Sequence, residues 1–279
     1  MTYQGPPPVV EPFFFRSESP LYGYLLRPQG RPRSTAAILC YPWGDEYTRF
    51  HRAFRQWSLL LAAEGFCVLR FDFSGIGDSA GQPAGWSLSR WRDDVLAAVS
   101  QLRSRVGPGP LALCGLRLGA TLGAMAAPSI PGLRALLLWD PICDGALYVQ
   151  ELGQLQQTML SRAHALARAP GGADDDRFAS PDPGDEVLGF PFPATLRSEL
   201  ASLRLTLPIP HLPVRTLLLR TRPDQEPLPA AGQASDAGTL ERLEVPLPEA
   251  WQWQEALARV LVPTRVVQQA VSWLSGVCP

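Results

Sequence analysis

The stretch Leu111-Ala112-Leu113-Cys114-Gly115-Leu116-Arg117-Leu118-Gly119-Ala120 decides the architecture. Four apolar residues read as a buried strand, and the small-residue run Ala120 to Ala127 reads as a helix. Between them Gly115-Leu116-Arg117-Leu118-Gly119 leaves no room for a loop, so the chain must turn sharply from strand into helix. Glycines at the first and last positions suit such a turn, because a side chain there would strike the neighbouring strand or helix. The central residue, Arg117, is thereby pushed outward at the C-terminal end of the strand.

Working outward, the same grammar recurs. Thr35 to Tyr41 is a short apolar run stopped by Pro42-Trp43-Gly44, and Phe50 to Glu64 carries helical spacing closed by Gly65. Phe66 to Phe71 is a second buried strand leading into the turn Asp72-Phe73-Ser74-Gly75-Ile76-Gly77-Asp78-Ser79. A helix over Trp86 to Arg103 precedes the decisive stretch, and Leu133 to Trp139, ending at Asp140-Pro141, follows it. Residues 1–34 read as extended segments and turns, with Tyr22 to Leu26 an edge strand. Tyr148 to Ala169 reads as a helix and Gly171 to Asp185 as a mobile Gly/Asp/Pro loop. Val214 to Thr221 and Leu240 to Val245 resume the strand pattern, and Pro263 to Ser275 closes with an amphipathic helix. Strands alternating with helices predict a mostly parallel sheet covered on both faces. The boundaries expected are a core over 1–144, an inserted helical cap over 145–210 above the ligand-binding edge of the sheet, and the rest of the core over 211–279.

Composition limits the chemistry. The 279 residues carry a net charge of -1, and all 25 basic residues are arginine, since the chain has no lysine and no asparagine. Schiff-base lysines, lysine phosphate loops and catalytic asparagines are excluded, and the charge balance speaks against a nucleic-acid footprint. The five cysteines (40, 67, 114, 143, 278) form no Cys-x-x-Cys pair and read as reduced thiols. No apolar run is long enough for a membrane helix. Met1 to Phe15 has neither a basic nor a clean apolar leader region, so a cytoplasmic location is expected. No cofactor is implied. No metal site is expected either, because His, Asp and Glu do not stand at ligand spacing.

The strand-Gly-x-Arg-x-Gly-helix element, the Tyr41-Pro42-Trp43-Gly44 loop and the Asp72 to Ser79 turn occur in the order of an α/β-hydrolase fold. The turn resembles the D-x-R-G-x-G-x-S segment of serine aminopeptidase-like α/β-hydrolases. Gly77-Asp78-Ser79-Ala80-Gly81, Gly115 to Ala120, Leu136 to Pro141, and Trp251-x-x-x-Glu255 with Val262-Pro263 narrow the likeness further. With these segments the chain resembles the second type of exosortase A system-associated hydrolases, over residues 13–165 and more loosely over 210–275. That resemblance implies an α/β-hydrolase core and a bacterial setting among exopolysaccharide and protein-sorting loci. It does not imply an activity, because that family's elbow commonly shows the same Leu-Arg pattern. The chain has Trp43-Gly44-Asp45-Glu46 where that family usually shows Phe-x-Glu-Glu.

Serine hydrolysis on this fold needs a nucleophile at the elbow, then an acid, then a histidine after the last strand. Arg117 holds the nucleophile position, and a guanidinium is permanently protonated and not nucleophilic. Asp224 and Asp140 stand where an acid is expected. The histidines are 51, 164 and 211, so none follows the last strand. The sequence therefore favours a pseudo-hydrolase or accessory binding protein of envelope, exopolysaccharide or other biosynthetic loci. The alternatives are an ester or thioester hydrolase or acyltransferase with a non-standard nucleophile such as Cys143, with His164 or His51 as base, and a lyase or isomerase using the same pocket. The backbone of Trp43 and Leu118 corresponds to an oxyanion hole. Arg117, Asp45, Glu46, Trp251 and Trp253 are the expected pocket residues, suited to an anionic, acyl or glycan small molecule. Two readings of Arg117 stand open: recognition of an anion, or pairing with Asp45, Glu46, Asp140 or Asp224. Trp43, Trp86, Trp139, Trp251 and Trp253 read as candidates for an aromatic lining. Cys114 reads as core, His51 as helix surface, and Ser79 as a structural hydroxyl.

Overall fold

The computed structural model describes residues 7–167, 185–207, 209, 212, 214–222, 239–247 and 262–278, with the backbone alone for Arg16 and 164–167. Among the described residues ten strands and six α-helices follow in chain order. They are β1 (Val9–Arg16), β2 (Pro20–Arg27), β3 (Ala36–Cys40), α1 (Asp45–Ala63), β4 (Val68–Phe71), α2 (Leu88–Val106), β5 (Leu111–Leu116) and α3 (Leu118–Ala126). Then come β6 (Leu133–Trp139), α4 (Gly145–Ala167), β7 (Glu186–Val187), β8 (Phe190–Pro191), α5 (Ala194–Ser202), β9 (Arg215–Arg220), β10 (Leu240–Glu244) and α6 (Thr264–Val277).

Eight strands form one sheet in the order β1-β2-β4-β3-β5-β6-β9-β10. β1 and β2 run antiparallel, and every pairing from β4 onward is parallel. The expected edge strand at Tyr22–Leu26 is corrected here. β2 is flanked on both sides, and the edge belongs to β1, whose apolar alternation around Pro12 was read only as extended chain. A proline is tolerated there because an edge strand has one row of N–H groups that pairs with nothing.

The continuous apolar strands are explained by cover on both faces. In β3, Ala36, Ile38 and Cys40 face the layer that holds α2, α3, α4 and α5, while Ala37 and Leu39 face α1 and α6. In β5, Leu111 and Leu113 take the first face, and Ala112, Cys114 and Leu116 the second. α1 buries Phe50, Phe54, Trp57 and Leu61 along one stripe, each worth about 1.5–3 kcal/mol of apolar transfer. α1 begins at Asp45, five residues before its first apolar repeat. Its first turn is acidic, and Asp45 and Glu46 there complement the positive end of the helix. α2 starts after Ser87, whose hydroxyl accepts the Arg90 N–H.

Between β6 and β9 the described residues hold α4, the β7–β8 hairpin and α5. Asp144 precedes α4 and accepts the Leu147 N–H through Oδ1 at 3.1 Å. Gly145 is forced by packing, because a Cβ there would overlap the Leu200 carbonyl of α5. Most of the expected loop, 171–184, lies outside the described residues, and Asp185 begins the hairpin segment. No helix among the described residues is long and apolar enough to cross a membrane.

Candidate functional site

The elbow is built by close backbone approach. A Cβ on Gly115 would come within 2.5 Å of Ala120 N, and one on Gly119 would overlap the carbonyl oxygens of Cys40 and Tyr41. The start of α3 thus lies directly against the end of β3, from which Trp43 follows. Arg117, at the point of the turn, has φ 51° and ψ -120°, a left-handed conformation that non-glycine residues adopt only under constraint. Its N–H donates to Trp139 O at 2.9 Å, and its carbonyl accepts the Thr121 N–H at 3.1 Å. Thr121 Oγ1 in turn accepts the Ile142 N–H at 2.9 Å, which fixes the elbow helix to the segment leaving β6.

The side chain of Arg117 is only 4% exposed. Its Nε donates to Glu46 Oε1 at 2.8 Å, and Nη2 donates to Glu151 Oε2 at 2.9 Å. The Tyr148 ring lies 5.0 Å from the guanidinium carbon. Arg222 reaches the other oxygen of Glu151 at 2.6 Å, so four charges alternate along Glu46, Arg117, Glu151 and Arg222. Of the two readings of Arg117, the structure shows pairing with carboxylates. Glu46 was among the expected partners. Glu151 was missed, because no motif in α4 marked it and only the fold brings it to the elbow.

The two carboxylates on one guanidinium respond in opposite directions. Glu46 is more deeply buried and has Arg117 as its main cation, so burial holds its carboxyl above the ordinary value despite the opposing pull of Arg117. Its Oε2 is buried with no hydrogen-bond partner. Burial also opposes the charge on Glu151, but Arg117 and Arg222 together outweigh it and hold that carboxyl below the ordinary value. For Arg117 burial disfavours the charge, and the two carboxylates more than offset it, so the guanidinium stays charged.

A cavity of about 290 Å³ opens beside this chain of charges. Trp43, Asp45, Glu46 and Arg49 line one side, and Tyr148, Glu151, Leu152 and Leu155 of α4 line another. Gln154 and Thr158 of α4, Val187, Leu188 and Phe190 of the hairpin, and Arg222 also line it. Arg49 pairs with Asp45 at 3.4 Å, so each guanidinium on the wall already holds a carboxylate. Arg117 is a correction to the expected lining. It is covered by the carboxylates it holds and does not form part of the cavity wall. That arrangement speaks against an anion being drawn to it.

The remaining candidates separate. Trp43 packs edge-on against Trp86 at 6.4 Å and at a shallow tilt against Phe192 at 5.4 Å. Leu118 is the first residue of α3, so its N–H has no acceptor within the helix. Asp140 is fully buried at φ 43° and is engaged by Thr221, whose N–H donates to Oδ1 at 2.9 Å and whose hydroxyl donates to Oδ2. Thr221 also accepts the Trp139 indole N–H at 3.1 Å. Asp140 therefore ties β6 to the end of β9 and orients no described histidine. Trp139 belongs to the core against Phe50 and Trp57, not to the cavity. Cys143 is half-buried, and burial pushes its thiol up to about 11, only partly opposed by Arg220. His51 stacks on Tyr41 at 5.6 Å on the surface of α1, and burial lowers its pKa. Ser79 accepts the Tyr22 N–H at 2.8 Å and donates to Asp72 O at 2.6 Å, which fastens the glycine turn to β2. Asp224, Trp251, Trp253 and His211 lie outside the described residues, as does the side chain of His164. Among the described residues no group of three or more His, Cys, Asp and Glu is placed to hold a metal ion.

A family model described as serine aminopeptidase, S33, matches residues 38–184, more than half of the chain. The chain belongs to the serine aminopeptidase S33 family. Curated relatives include the mitochondrial palmitoyl-protein thioesterase ABHD10 of Homo sapiens and of Mus musculus. Each is 39% identical over 77 residues, which is 25% of this chain. The match spans only about a quarter of those relatives' own length, 24% and 25%. Among solved structures, mouse alpha/beta hydrolase domain-containing protein 10 superposes with a TM-score of 0.53 at 18% identity, covering 95% of this chain and 97% of its own. Est1E of Butyrivibrio proteoclasticus, solved with ferulic acid, gives 0.59 at 16%, covering 95% and 96%. An esterase of Pyrococcus furiosus gives 0.58 at 13%, covering 98% and 92%. At these identities the likeness establishes the shared fold.

In the Trp43-Gly44-Asp45-Glu46 segment the second acid is the one that holds Arg117.

Proposed function

We propose that this chain is a catalytically silent member of the S33 family that binds an uncharged small molecule of the acyl type, with both apolar and polar parts, in the cavity beside α4. The observation that carries this reading is Arg117 at the elbow, held by Glu46 and Glu151 where a nucleophile would have to stand free. Three further features support it. No histidine follows the last strand in the sequence, Asp140 is engaged by Thr221, and the charged groups on the cavity wall pair with one another. The apolar residues on a wall that is otherwise polar, Leu152, Leu155, Val187, Leu188 and Phe190, and the names of the ABHD10 and esterase relatives support an acyl-bearing ligand. Residues 145–210 act in this proposal as a cap over the sheet edge. The setting is a cytoplasmic accessory role in bacterial exopolysaccharide or protein-sorting loci, supported by the segments at 77–81, 115–120 and 136–141.

Purified protein offered p-nitrophenyl esters and acyl-coenzyme A thioesters of graded chain length is expected to show no turnover above buffer. Loss of the nucleophile or the base of a triad lowers kcat by about a millionfold. Turnover that tracks the protein through purification would refute silence. The 77-residue ABHD10 segment favours a second reading, an ester or thioester hydrolase with a non-standard nucleophile, and an acyl adduct on Cys143 in the intact mass would establish it.

A further inference from the structure

The alternating charges do more than neutralise the elbow, because they join four separate parts of the chain. Glu46 stands in the first turn of α1, Arg117 at the elbow between β5 and α3, Glu151 in the second turn of α4, and Arg222 two residues past β9. Of the four, Glu151 on α4 lies furthest along the chain from the end of a strand of the large sheet. We infer that Arg117 is the pin of a latch that holds α4 in place as a wall of the cavity.

The placement of α4 supports this in detail. Tyr148, Glu151, Leu152 and Leu155 recur at helical spacing and form the face that lines the cavity. The start of the helix is fixed separately, by the Asp144 cap, the Asp144–Arg204 ion pair and the tight seat of Gly145 against Leu200. Further along, the Gln156 side chain accepts the Leu188 N–H at 2.7 Å and carries the β7–β8 hairpin on the helix. Between these two points, Arg117 and Arg222 grip opposite oxygens of Glu151, and the Arg117 guanidinium lies against Tyr148. Release of Glu151 would free the middle of α4, and with it the hairpin wall, while the Asp144 end stays seated. A residue that on this fold would present a reactive atom has instead become a positioning residue for the pocket.

Hydrogen exchange read by mass spectrometry on the full chain tests the latch. Arg117→Met and Glu151→Gln are each expected to speed exchange of the amides in 148–158 at least about tenfold, because each breaks the buried Arg117–Glu151 pair that holds the middle of α4. Arg222→Met removes only the outer, more exposed pair and is expected to speed the same amides by a smaller factor. β5 and α2 should keep their wild-type rates, and Arg92→Ala, at a surface pair, should change nothing. If Arg117→Met does not fold, Glu151→Gln and Arg222→Met decide. Exchange of 148–158 within twofold of wild type in the folded variants would overturn the latch, and so would a rise spread evenly over the sheet. The latch rests on geometry alone, so a positive turnover result would refute the silent-enzyme reading and leave it standing.

Discussion

Arg117→Ser, which places a hydroxyl at the point of the elbow, is expected to give a less stable protein and no esterase. The guanidinium lies between Glu46 and Glu151, whose side chains are 14% and 30% exposed. Removing one partner of a buried ion pair costs about 3–5 kcal/mol, and the lower end applies here because Glu151 keeps Arg222 and some solvent. For a chain of this size that is a fall in Tm of about 6–12 °C. The deficit depends on pH with a definite sign. Glu46 already sits above the ordinary carboxylate value, so its cost to folding appears as pH rises through that range. Glu151 sits below it, so its contribution is present above that range and is lost as pH falls. Removing Arg117 moves both upward. The gap between variant and wild type should therefore widen as pH rises through the carboxylate range and narrow as the pair is protonated. Thermal unfolding at pH 5 and pH 8 measures this, and an unchanged Tm at pH 8 would contradict it. The new hydroxyl gains no catalytic power, because the described histidine, His51, packs on Tyr41 and Tyr47.

Gly119→Ala is expected to be at least as damaging, for a steric reason rather than an electrostatic one. The added methyl would overlap two backbone carbonyl oxygens, those of Cys40 and Tyr41, and backbone cannot rotate aside as a side chain can. Separating α3 from β3 would disturb the middle of the sheet, where β3 pairs with β4 and β5. A loss of about 4–5 kcal/mol or more, read as an insoluble protein or a much lower denaturation midpoint, is the expected result. Gly153→Ala is the control, since a Cβ there meets nothing and an alanine favours the helix. A stable, well-folded Gly119→Ala protein would show that the elbow is looser than the distances require.

Most of the core was legible in the sequence because its signals are local. A strand buried on both faces must be apolar throughout, so β3, β5, β6 and β9 announce themselves, and Gly115 and Gly119 mark a turn that little else could make. The site was legible only in part. Arg117 was visible as an anomaly, and Glu46 as a nearby acid three residues beyond Trp43. Glu151 was not, because an acid on the face of a long helix looks like any solvated charge until the fold brings it 34 residues back to the elbow. Asp140 was misleading for the converse reason. Its position after β6 suits an acid, but the threonine that occupies both its oxygens comes from a strand end 81 residues later. The edge strand was misplaced because alternation alone does not tell which of two antiparallel strands has a neighbour beyond it.

The central claim is that a buried, doubly paired arginine fills the place of a nucleophile and serves the architecture. Exchange of the arginine Nε protons, followed by nitrogen-15 NMR on the full chain at pH 8, tests it most directly. The Arg117 Nε–H donates to Glu46 and is shielded from solvent, so its signal should persist and should shift or vanish in Glu46→Gln. The exposed Arg162 provides the reference rate. An Arg117 Nε proton that exchanges as fast as that of Arg162, and is indifferent to Glu46→Gln, would contradict the account.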